Sequence, residues 1–372
     1  MKKCLFLLRA MAITLALAGM CLAAGVKTMA PKINPVPKIN QGVVTSPEPV
    51  AGTAPDACGS TASQPVPDAV QATVQAPAAS PSPDEKSKPG KSTAFKTQKV
   101  DLGGSVSLDM VFIQGGTFRM GSSLSGQDII KRFPGAVSWK EWFASEQPIH
   151  DVTLPGFWMG ACEVTRAQFA RFIQETDYKT DAQKAGEAYG YDLTLGSWKQ
   201  VKGLRWDNPG FEQDGSHPVT CVSWYDARVF CGWLTQKTGV FFRLPTEAEW
   251  EYACRAGAVA RYPFGDDEAG LERYAWYGAN ADSKTHPAGR KQPNNWGLFD
   301  MAGDVWEWCQ DLYGDYPARG VMDPSGPPWG QKRVVRGGGW GSSAQDCRPA
   351  RRYGYGSGAR LDIVGFRLCF SD

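Results

Sequence analysis

Short apolar runs separated by glycine or polar turns fill the chain after residue 104. The run at residues 110–113 ends just before the glycine pair 115–116, and a second run follows as far as Met120. This spacing predicts two short strands around a tight turn. Apolar positions at 149–157 predict another strand. The region therefore opens with strands.

Three helices are predicted downstream, each from a polar cap residue followed by apolar positions at helical spacing. They begin at Thr165, Ser223 and Thr246. In the first and the third, Gln168 and Glu249 stand three residues after the cap and complete a capping box. The second is predicted to run to Lys237, with Gly239 at the position of a C-cap glycine.

The remaining stretches are rich in glycine, tyrosine and tryptophan and show no sustained period. Residues 177–215 predict long ordered loops, and the chain after Gly257 predicts short strands joined by further loops. Near the C terminus, the apolar runs at 333–340 and 364–369 flank a polar stretch. This arrangement predicts two strands around a long surface loop at 341–362.

The first hundred residues differ in composition from the rest. Residues 1–24 have the layout of a secretory signal peptide, since Lys2, Lys3 and Arg9 precede an apolar run that ends in small residues. That run is too short to span a bilayer, so no transmembrane segment is predicted. Residues 25–104, rich in Pro, Ala and Ser, predict a disordered tether. One folded domain is then expected at 105–372.

A lipid anchor at Cys21 is an alternative to simple export. Residues 17–21 have the outline of a lipoprotein cleavage site, but Met20 is bulky where such sites need a small residue. A soluble exported protein, which is periplasmic, secreted or at the cell surface, is therefore favoured over an anchored one.

The charges of the chain are nearly balanced, with 40 basic and 38 acidic side chains among 372 residues. No nucleic-acid partner or anionic membrane surface is therefore indicated. Three histidines without an HExxH motif argue against a histidine-rich metal centre, and the absence of a CxxC pair argues against a zinc ribbon. The sequence also lacks a phosphate loop, a nucleophile elbow and a kinase signature.

Two of the ten cysteines lie in the predicted signal peptide, which leaves eight. In an oxidising compartment these are disulfide candidates, and an even number permits full pairing without requiring it. Cys58 lies within the predicted tether. An unimportant free thiol is favoured there over an intermolecular disulfide.

Three acids, Asp300, Asp304 and Glu307, lie between the tryptophans at 296 and 308, around the turn residue Gly303. A hard cation held by Asp300, Glu307 and carbonyls of the turn would satisfy them, because calcium accepts about six to eight oxygens in loose geometry. A solvated turn beside a tryptophan-rich core is the alternative that the residue types leave open.

Several long motifs occur together in one order. They are FRLPTEAEWEYA at 242–253, GLFDMAGDVWEW at 297–308, RGG at 336–338 and GFR at 365–367. Together they resemble the formylglycine-generating enzyme family, also called sulfatase-modifying factors. The resemblance implies a single α+β domain of the C-type-lectin-like kind, rich in loops and poor in regular secondary structure.

The resemblance also implies a structural calcium ion. Its ligands would be the carboxylates of Asp300 and Glu307 and the backbone carbonyls of Gly303 and Val305. Asp300 stands where the family enzymes have asparagine, an exchange that keeps an oxygen ligand and adds charge. Calcium is therefore favoured over the solvated turn.

Enzymes of this family oxidise a cysteine of a sulfatase to formylglycine with a copper ion held by two cysteines. By resemblance, the first of these positions is Ser342 here, and the second has no secure counterpart. Cys347 lies near the required spacing, but its context fits a structural cysteine that would pair with Cys254. The resemblance implies a second disulfide between Cys231 and Cys369, although Cys369 is one residue off the family position. A serine hydroxyl is a poor ligand for soft Cu(I), so copper is not expected.

Residues 341–362 have the composition of an antibody-like contact surface, dense in Tyr, Gly, Ser, Arg and Asp. A flexible Gly/Ser loop with incidental tyrosines is the alternative. The resemblance adds that lectin-like proteins of this family serve as variable proteins of diversity-generating retroelements, which display a binding face near the C terminus. The candidate binding residues are Trp340, Ser342, Ser343, Asp346, Tyr353, Tyr355 and Leu361. The frame around them would be Trp340, Arg348, Ala350, Arg352 and Phe366.

Three functions follow from these observations. The favoured one is an exported, non-catalytic binding or accessory protein that recognises an unidentified protein or surface ligand. The alternative is an enzyme of the family with other oxidative or maturation chemistry. Its candidate residues are His150, His217, His286, Glu249 and Glu251. Copper-dependent formylglycine generation comes last because the cysteine pair is not matched.

Overall fold

A computed structural model describes residues 95–124, 127–128, 143–192 and 197–371. The predicted signal peptide, most of the predicted tether and Cys58 lie outside these ranges. Within them, no helix combines the length and the apolar composition that crossing a membrane requires.

Thirteen strands and four helices are described in full. The strands are β1 (Thr97–Gly103), β2 (Val106–Ile113), β3 (Gly116–Met120), β4 (His150–Leu154), β5 (Phe157–Gly160), β6 (Glu187–Asp192), β7 (Ser197–Lys202), β8 (Trp306–Leu312), β9 (Val321–Met322), β10 (Lys332–Arg336), β11 (Arg352–Gly356), β12 (Val364–Gly365) and β13 (Cys369–Phe370). The helices are α1 (Arg166–Thr176), α2 (Asp181–Ala185), α3 (Trp224–Thr238) and α4 (Glu247–Arg255), with 3-10 turns at Glu268–Arg273 and Ala344–Cys347.

The described strands form four small sheets. One has the antiparallel order β1-β2-β5-β13, so the last strand of the chain lies beside β5. A second has the order β11-β10-β8-β12, in which β12 runs parallel to β8 and the other pairs are antiparallel. The strands β3, β4 and β9 form a third sheet, and β6 and β7 form a fourth. The predicted α+β class is confirmed.

The folded region begins earlier than the predicted boundary at residue 105. β1 lies within the segment predicted as a tether and pairs with β2 from Thr97 onward. Val100 and Leu102 alternate with exposed polar residues and point into the core. This short period-2 pattern buries enough apolar surface to join the sheet, despite the polar sequence before it.

The three predicted helix starts are confirmed. Thr165, Ser223 and Thr246 are the N-caps of α1, α3 and α4, and each takes part in a complete capping box. Gly239 ends α3 in the left-handed conformation. Local signals of this kind depend on residues within one turn, which is why the sequence alone reveals them.

Two local predictions were wrong. Residues 177–215, predicted as loops, contain α2 as well as the hairpin β6–β7. The single strand predicted at 149–157 is two strands, β4 and β5, which belong to different sheets. The residues between them are Pro155 and Gly156, and proline cannot donate a ladder hydrogen bond.

An aromatic core fixes the C-terminal GFR motif against two helices. Phe230 of α3 stacks on Phe169 of α1, with ring centroids 5.8 Å apart, and meets Phe366 edge-on at 5.5 Å. All three rings are fully buried. Truncating one such ring to alanine costs about 3–5 kcal/mol. The next residue, Arg367, is therefore held in a defined place.

Candidate functional site

The acidic stretch forms a tight turn that leads into β8. Asp300, Gly303 and Asp304 all have positive φ angles, which non-glycine residues rarely adopt. A Cβ atom on Gly303 would collide with the backbone carbonyl of Trp276, so glycine is required at that position. The backbone N–H of Asp304 donates to the same carbonyl at 2.7 Å, and that of Gly303 donates to Gly337 at 2.8 Å. The turn is therefore held rigidly.

Glu307, a predicted calcium ligand, forms a buried ion pair. Arg367 donates to both of its carboxylate oxygens at 2.6 Å, and the indole N–H of Trp250 donates to Oε2 at 2.7 Å. The side chains of Glu307 and Arg367 are fully buried. Arg367 also donates to the carbonyls of Gly160 and Phe299 at 3.0 Å. As a cation ligand, Glu307 would have to share its oxygens with these donors.

Three acids near this pair keep buried carboxylate oxygens without a hydrogen-bond partner. These are both oxygens of Glu163, Oδ1 of Asp300 and Oδ2 of Asp304. The other oxygen of Asp300 accepts from the N–H of Gly289 at 2.6 Å, and that of Asp304 accepts from the N–H of His286 at 2.9 Å. A buried, unpaired carboxylate oxygen is costly. The cluster of Glu163, Asp300 and Asp304 therefore requires added positive charge or protons.

The pKa values of the three acids in the cluster are raised, which shows that their charged forms are disfavoured. Burial raises the pKa of Glu163 well above its ordinary value, and the charge of Asp300 raises it further. Burial likewise raises the pKa of Asp300 to about 6 and that of Asp304 well above its usual range. The charge of Arg367 lowers the pKa of Glu163, but Arg367 is already paired with Glu307. A bound cation would remove the repulsion that protons otherwise relieve.

Carboxylates alone do not complete a metal site here. Among the residues that the structure describes, no three His, Cys, Asp or Glu side chains converge to hold a metal ion. Glu163 and Asp300, together with the carbonyls of Gly303 and Val305, would supply the mixed oxygen set that calcium accepts. On this donor chemistry and on the unpartnered oxygens of the cluster, the residues fit calcium.

Sequence reasoning missed Glu163 as a member of this cluster. The one local signal was its place between two apolar residues, two positions before Thr165, the cap of α1. Glu163 is 1% exposed, and glutamate is rarely buried unless it is paired. Its partners come from a distant part of the chain, so no local pattern could have identified them.

Ser342, which the resemblance places at the first family cysteine position, is buried in the structure. The Oγ of Ser342 accepts hydrogen bonds from the indole N–H of Trp306 at 3.1 Å and from the N–H of Gly339 at 3.0 Å. Its carbonyl accepts from the N–H of Gly278 at 2.8 Å. Ser342 is 5% exposed. Both acceptor sites of the hydroxyl are therefore used to fix the surrounding backbone.

Cys347, the other residue weighed for the thiol pair, lies in a different environment. It is fully buried, and its titratable neighbours include Asp346, Cys254 and Glu268. Burial raises the pKa of its thiol well above the ordinary value, which disfavours the thiolate that a metal needs. A Cβ atom on Gly338 would lie 3.0 Å from its sulfur. Ser342 and Cys347 thus offer no pair of thiolates.

The predicted display surface at 341–362 is wrong for most of its residues. Five of the seven candidate binding residues lie in the interior, and only Ser343 and Tyr353 are half-buried. The buried ones are Trp340, Ser342, Asp346, Tyr355 and Leu361. The segment is also not one loop, since it contains the 3-10 turn Ala344–Cys347 and strand β11. Its exposed part is confined to the turn around residues 356–360.

Arginine pairs and strand pairing explain this burial. Arg351 donates from Nε to Asp346 at 2.9 Å, and Arg352 binds both oxygens of Glu247 at 2.7 and 2.8 Å. β11 pairs with β10, which places Tyr353 opposite Val335. Tyrosine and arginine thus serve packing here, although their composition resembles that of a contact surface. The residues predicted as a frame, Trp340, Arg348, Ala350, Arg352 and Phe366, are all buried.

The histidines predicted for another enzyme activity make local contacts. A ring nitrogen of His150 lies 3.0 Å from the carbonyl of Pro148, and one of His217 lies 3.1 Å from the hydroxyl of Thr285. His286 stacks on Trp276, with centroids 3.8 Å apart. Burial lowers the pKa of both His217 and His286. The structure does not bring the three together as one catalytic group.

The two acids predicted for that activity are also occupied. Glu249 accepts from both guanidinium N–H groups of Arg243 at 2.6 and 2.7 Å and from the N–H of Thr246 at 2.8 Å. Burial alone would raise the pKa of Glu251, but Arg255 and Arg336 lower it below the ordinary value. Both side chains are therefore held in structural ion pairs.

All seven described cysteines are free thiols, so the predicted disulfides are not present in the structure. The predicted partners are nevertheless neighbours, because Cys254 contributes to the raised pKa of Cys347 and Cys231 contributes to that of Cys369. Burial raises the pKa of both Cys254 and Cys231 to about 12. These thiols are unreactive as long as they remain buried.

Comparisons with known proteins agree with this arrangement. A family model described as the sulfatase-modifying factor enzyme 1-like domain matches residues 98–371. The formylglycine-generating enzyme of Streptomyces coelicolor is 32% identical over 330 residues, which cover 79% of this chain and 96% of that protein. Treponema denticola variable protein 1 superposes with a TM-score of 0.57 at 27% identity, covering 74% of this chain and 99% of that one.

A second solved structure has the same fold. PvdO from Pseudomonas aeruginosa superposes with a TM-score of 0.59 at 26% identity, covering 75% of this chain and 100% of that one. The predicted resemblance and the predicted loop-rich, formylglycine-generating-enzyme-like domain are both confirmed. The chain belongs to the FGE-sulfatase family.

Proposed function

We propose that this protein is an exported, non-catalytic binding or accessory member of the FGE-sulfatase family. One observation carries the proposal. By resemblance, Ser342 occupies the first family cysteine position, and its hydroxyl is buried between the donors of Trp306 and Gly339. A neutral hydroxyl in this setting is a poor ligand for Cu(I), which prefers thiolates.

Cys347, the other residue weighed for the thiol pair, is already packed in the interior. Cys347 neighbours Cys254 and lies under Gly338. Moving its sulfur toward Ser342 would open a cavity in a packed region, at a cost of a few kcal/mol. The copper-dependent oxidation of a sulfatase cysteine is therefore not expected of this chain.

Two further observations support a binding role and export. The chain is similar to a protein named as a variable protein, and its N terminus has the layout of a signal peptide. The contact surface, however, is not the predicted set around Leu361, because that set is largely buried. Contacts must use other exposed residues.

The test is a copper and turnover assay on the purified domain. A Cys-x-Pro-x-Arg peptide would be incubated with Cu(I), oxygen and a thiol reductant, with the Streptomyces coelicolor enzyme as the positive control. We expect neither stoichiometric copper binding nor formylglycine for the wild type. We expect the same for Ser342→Cys, because a single thiolate does not replace the pair. Turnover of the peptide by the wild-type domain would overturn the proposal.

We also propose that the acidic cluster binds calcium as a structural ion. Glu163 and Asp300 would provide carboxylate oxygens, and Gly303 and Val305 would provide carbonyls. Support comes from the four buried oxygens without partners on Glu163, Asp300 and Asp304 and from the rigid turn that carries two of these acids. The ion would neutralise the cluster and fix the segment that precedes β8.

A further inference from the structure

A cavity of about 300 Å³ lies where the end of β8 meets the first turn of α4. Sites for small molecules span roughly 300–1,000 Å³, so this cavity has room for a compact ligand. Its described lining residues include neither Ser342 nor a member of the acidic cluster. Apolar side chains line one part of it, and acidic side chains line another part. The cavity is therefore a second candidate site with a chemistry of its own.

The apolar part of the lining is rigid, because it contains three prolines, whose φ angles are fixed. The prolines are Pro317, Pro324 and Pro327. The segment that carries them is tied to the third sheet, since Val321 pairs with Val152 of β4. The backbone N–H of Asp323 also donates to the carbonyl of Thr153 at 2.9 Å. A ligand therefore meets a preformed apolar surface, which lowers the entropic cost of binding.

The hydrogen-bond donors in the lining are already in use. Arg352 binds both oxygens of Glu247 at 2.7 and 2.8 Å, and its remaining nitrogen donates to two backbone carbonyls. The hydroxyl of Tyr316 donates to Oε1 of Glu247 at 3.2 Å. Nδ1 of His150 lies 3.0 Å from the carbonyl of Pro148, so in the neutral ring Nδ1 carries the proton and Nε2 is an acceptor. Each side-chain donor group of the described lining thus already has a protein acceptor.

The acceptors in the lining are not all used. Asp311 is 3% exposed, and its Oδ2 accepts the N–H of Glu247 at 2.9 Å, whereas no described residue donates to its Oδ1. A Cβ atom on Gly326 would lie 3.0 Å from Oδ1, so glycine leaves the space beside this oxygen open. Nε2 of His150 likewise has no donor among the described residues, and Asp315 is exposed. A ligand must therefore supply donors.

The charges around Asp311 favour a cationic donor. The two acids that face it each have an arginine partner, since Glu247 pairs with Arg352 and Glu249 pairs with Arg243. Asp311 itself has no such partner in the part of the chain that the structure describes. Burial, followed by the charge of Glu247, raises its pKa to about 8, and Arg352 has a smaller opposing effect. A cation beside Oδ1 would favour the ionised carboxylate.

We propose that this cavity binds a small primary amine with an apolar body. The ammonium group donates to Oδ1 of Asp311, and His150 and Asp315 are further acceptors in the same lining. The apolar body packs against Val321 and the three prolines. The proposal goes beyond the proposed function and uses none of the residues that argue against copper chemistry.

The test compares three probes by isothermal titration calorimetry at pH 9. Cyclopentylamine carries both the ammonium and the apolar ring, cyclopentanol carries the ring with a neutral hydroxyl, and methylamine carries the ammonium with almost no apolar body. We expect cyclopentylamine to bind at least about tenfold more tightly than either of the others, because burial of the ring and charge-assisted hydrogen bonds each contribute. Equal affinity for cyclopentylamine and cyclopentanol would overturn the role of the carboxylate.

The pH dependence of binding is a second readout. An aliphatic amine stays protonated up to about pH 10, as lysine does, whereas Asp311 must lose its proton to bind an ammonium. With a pKa of about 8 for Asp311, the affinity for cyclopentylamine should rise about tenfold from pH 7 to pH 9. The affinity for cyclopentanol should stay the same. An affinity for the amine that does not change with pH would contradict Asp311 as its anionic partner.

Asp311→Asn locates the site. The variant keeps an acceptor for the N–H of Glu247 but loses the charge, so it should bind cyclopentylamine about tenfold more weakly at pH 9 and cyclopentanol as before. The matched control is Asp109→Asn, which changes an acid that is 63% exposed and lies outside the cavity. If Asp311→Asn binds the amine as tightly as the control does, the ligand lies elsewhere. Neither result bears on copper turnover, so this proposal can fail separately from the proposed function.

Discussion

Asp311 is a buried carboxylic acid whose titration should be visible in the stability of the whole domain. It is 3% exposed, and its Oδ2 accepts the backbone N–H of Glu247 at 2.9 Å. Burial, followed by the charge of Glu247, raises its pKa to about 8. In the unfolded chain, an aspartate has a pKa of about 3.9. The folded state therefore binds the extra proton between these two values.

The sign of the resulting pH dependence follows from linkage. Where the native state binds more protons than the unfolded state, stability falls as pH rises. Asp311 should thus destabilise the fold progressively from about pH 4 to pH 8. In Asp311→Asn the amide oxygen can still accept from Glu247 but carries no charge. We expect this variant to be more stable than the wild type at pH 9, on the order of 1–3 kcal/mol, and nearly equal to it at pH 4.

Urea unfolding at several pH values measures this difference. Asp109→Asn serves as the control, because Asp109 is 63% exposed and pairs with Lys99 at 3.5 Å. It should change stability little at any pH. A constant difference between Asp311→Asn and the wild type across the range would contradict the assignment.

At the scale of single residues, the sequence predicted which side chains belong to the acidic turn better than it predicted which distant residues they contact. Asp300 and Gly303 were predicted from local spacing and do lie in one rigid turn. The pairing of Glu307 with Arg367 and the approach of Glu163 join segments far apart in the chain. Such contacts depend on how the sheets assemble. Burial of Leu361 was missed for the same reason, because a polar, glycine-rich stretch gives no local sign that other segments cover it.

α4 shows how one element connects several distant segments. Residues from Glu247 to Cys254 are all buried, although three of them are glutamates. Each glutamate pairs with an arginine that lies outside the helix, and Glu251 also binds Arg255 in the helix's last turn. The outside pairs are Glu247 with Arg352, Glu249 with Arg243 and Glu251 with Arg336. The helix is therefore held by ion pairs as much as by apolar packing.

Glu251→Gln should be more destabilising than loss of the helix cap. The change removes one of the two carboxylate partners of Arg336 in a fully buried site, and breaking a buried ion pair typically costs about 3–5 kcal/mol. Thr246→Ala removes the N-cap hydroxyl and should cost about 1 kcal/mol. Chemical unfolding of the two variants gives the ranking, and Thr246→Ser, which retains the hydroxyl, is the control. A smaller loss for Glu251→Gln than for Thr246→Ala would show that the ion pair contributes little.

Helices and strands were predicted where the sequence carries a strong local signal and were missed where it does not. The caps of α1, α3 and α4 act within one turn and were found. α2 carries the same kind of signal, with Thr180 and Gln183 forming a capping box, but it is only five residues long and has no apolar period to reveal it. β11 was missed because Tyr353 and Tyr355 alternate with glycine and arginine rather than with ordinary strand residues.

At the scale of the whole molecule, the acidic cluster connects the segment between β5 and α1, the turn before β8 and the C-terminal GFR motif. Glu163, Asp300 and Arg367 represent these three segments. A cation at the cluster would bind the native state and not the unfolded chain. Its effect on stability would then grow with the logarithm of its concentration, reaching about 2.7 kcal/mol at a hundredfold excess over the dissociation constant.

Calcium should therefore raise the melting temperature of the wild-type domain by several degrees relative to the chelated protein. Glu163→Gln should change the melting temperature in opposite directions in EGTA and in calcium. In EGTA it removes a buried acid without a hydrogen-bond partner, so the variant should melt at or above the temperature of the wild type. In calcium it lacks a ligand, so most of the calcium-dependent increase should be lost.

Differential scanning calorimetry with and without calcium tests both halves, and Glu212→Gln, at an exposed position, is the control. A wild-type melting temperature that is the same with and without calcium would contradict the metal proposal. A calcium response that survives Glu163→Gln unchanged would place the ion elsewhere. A purely structural role for Glu163 predicts that the variant melts lower in both conditions. The opposite signs therefore separate a cation ligand from a residue that only packs.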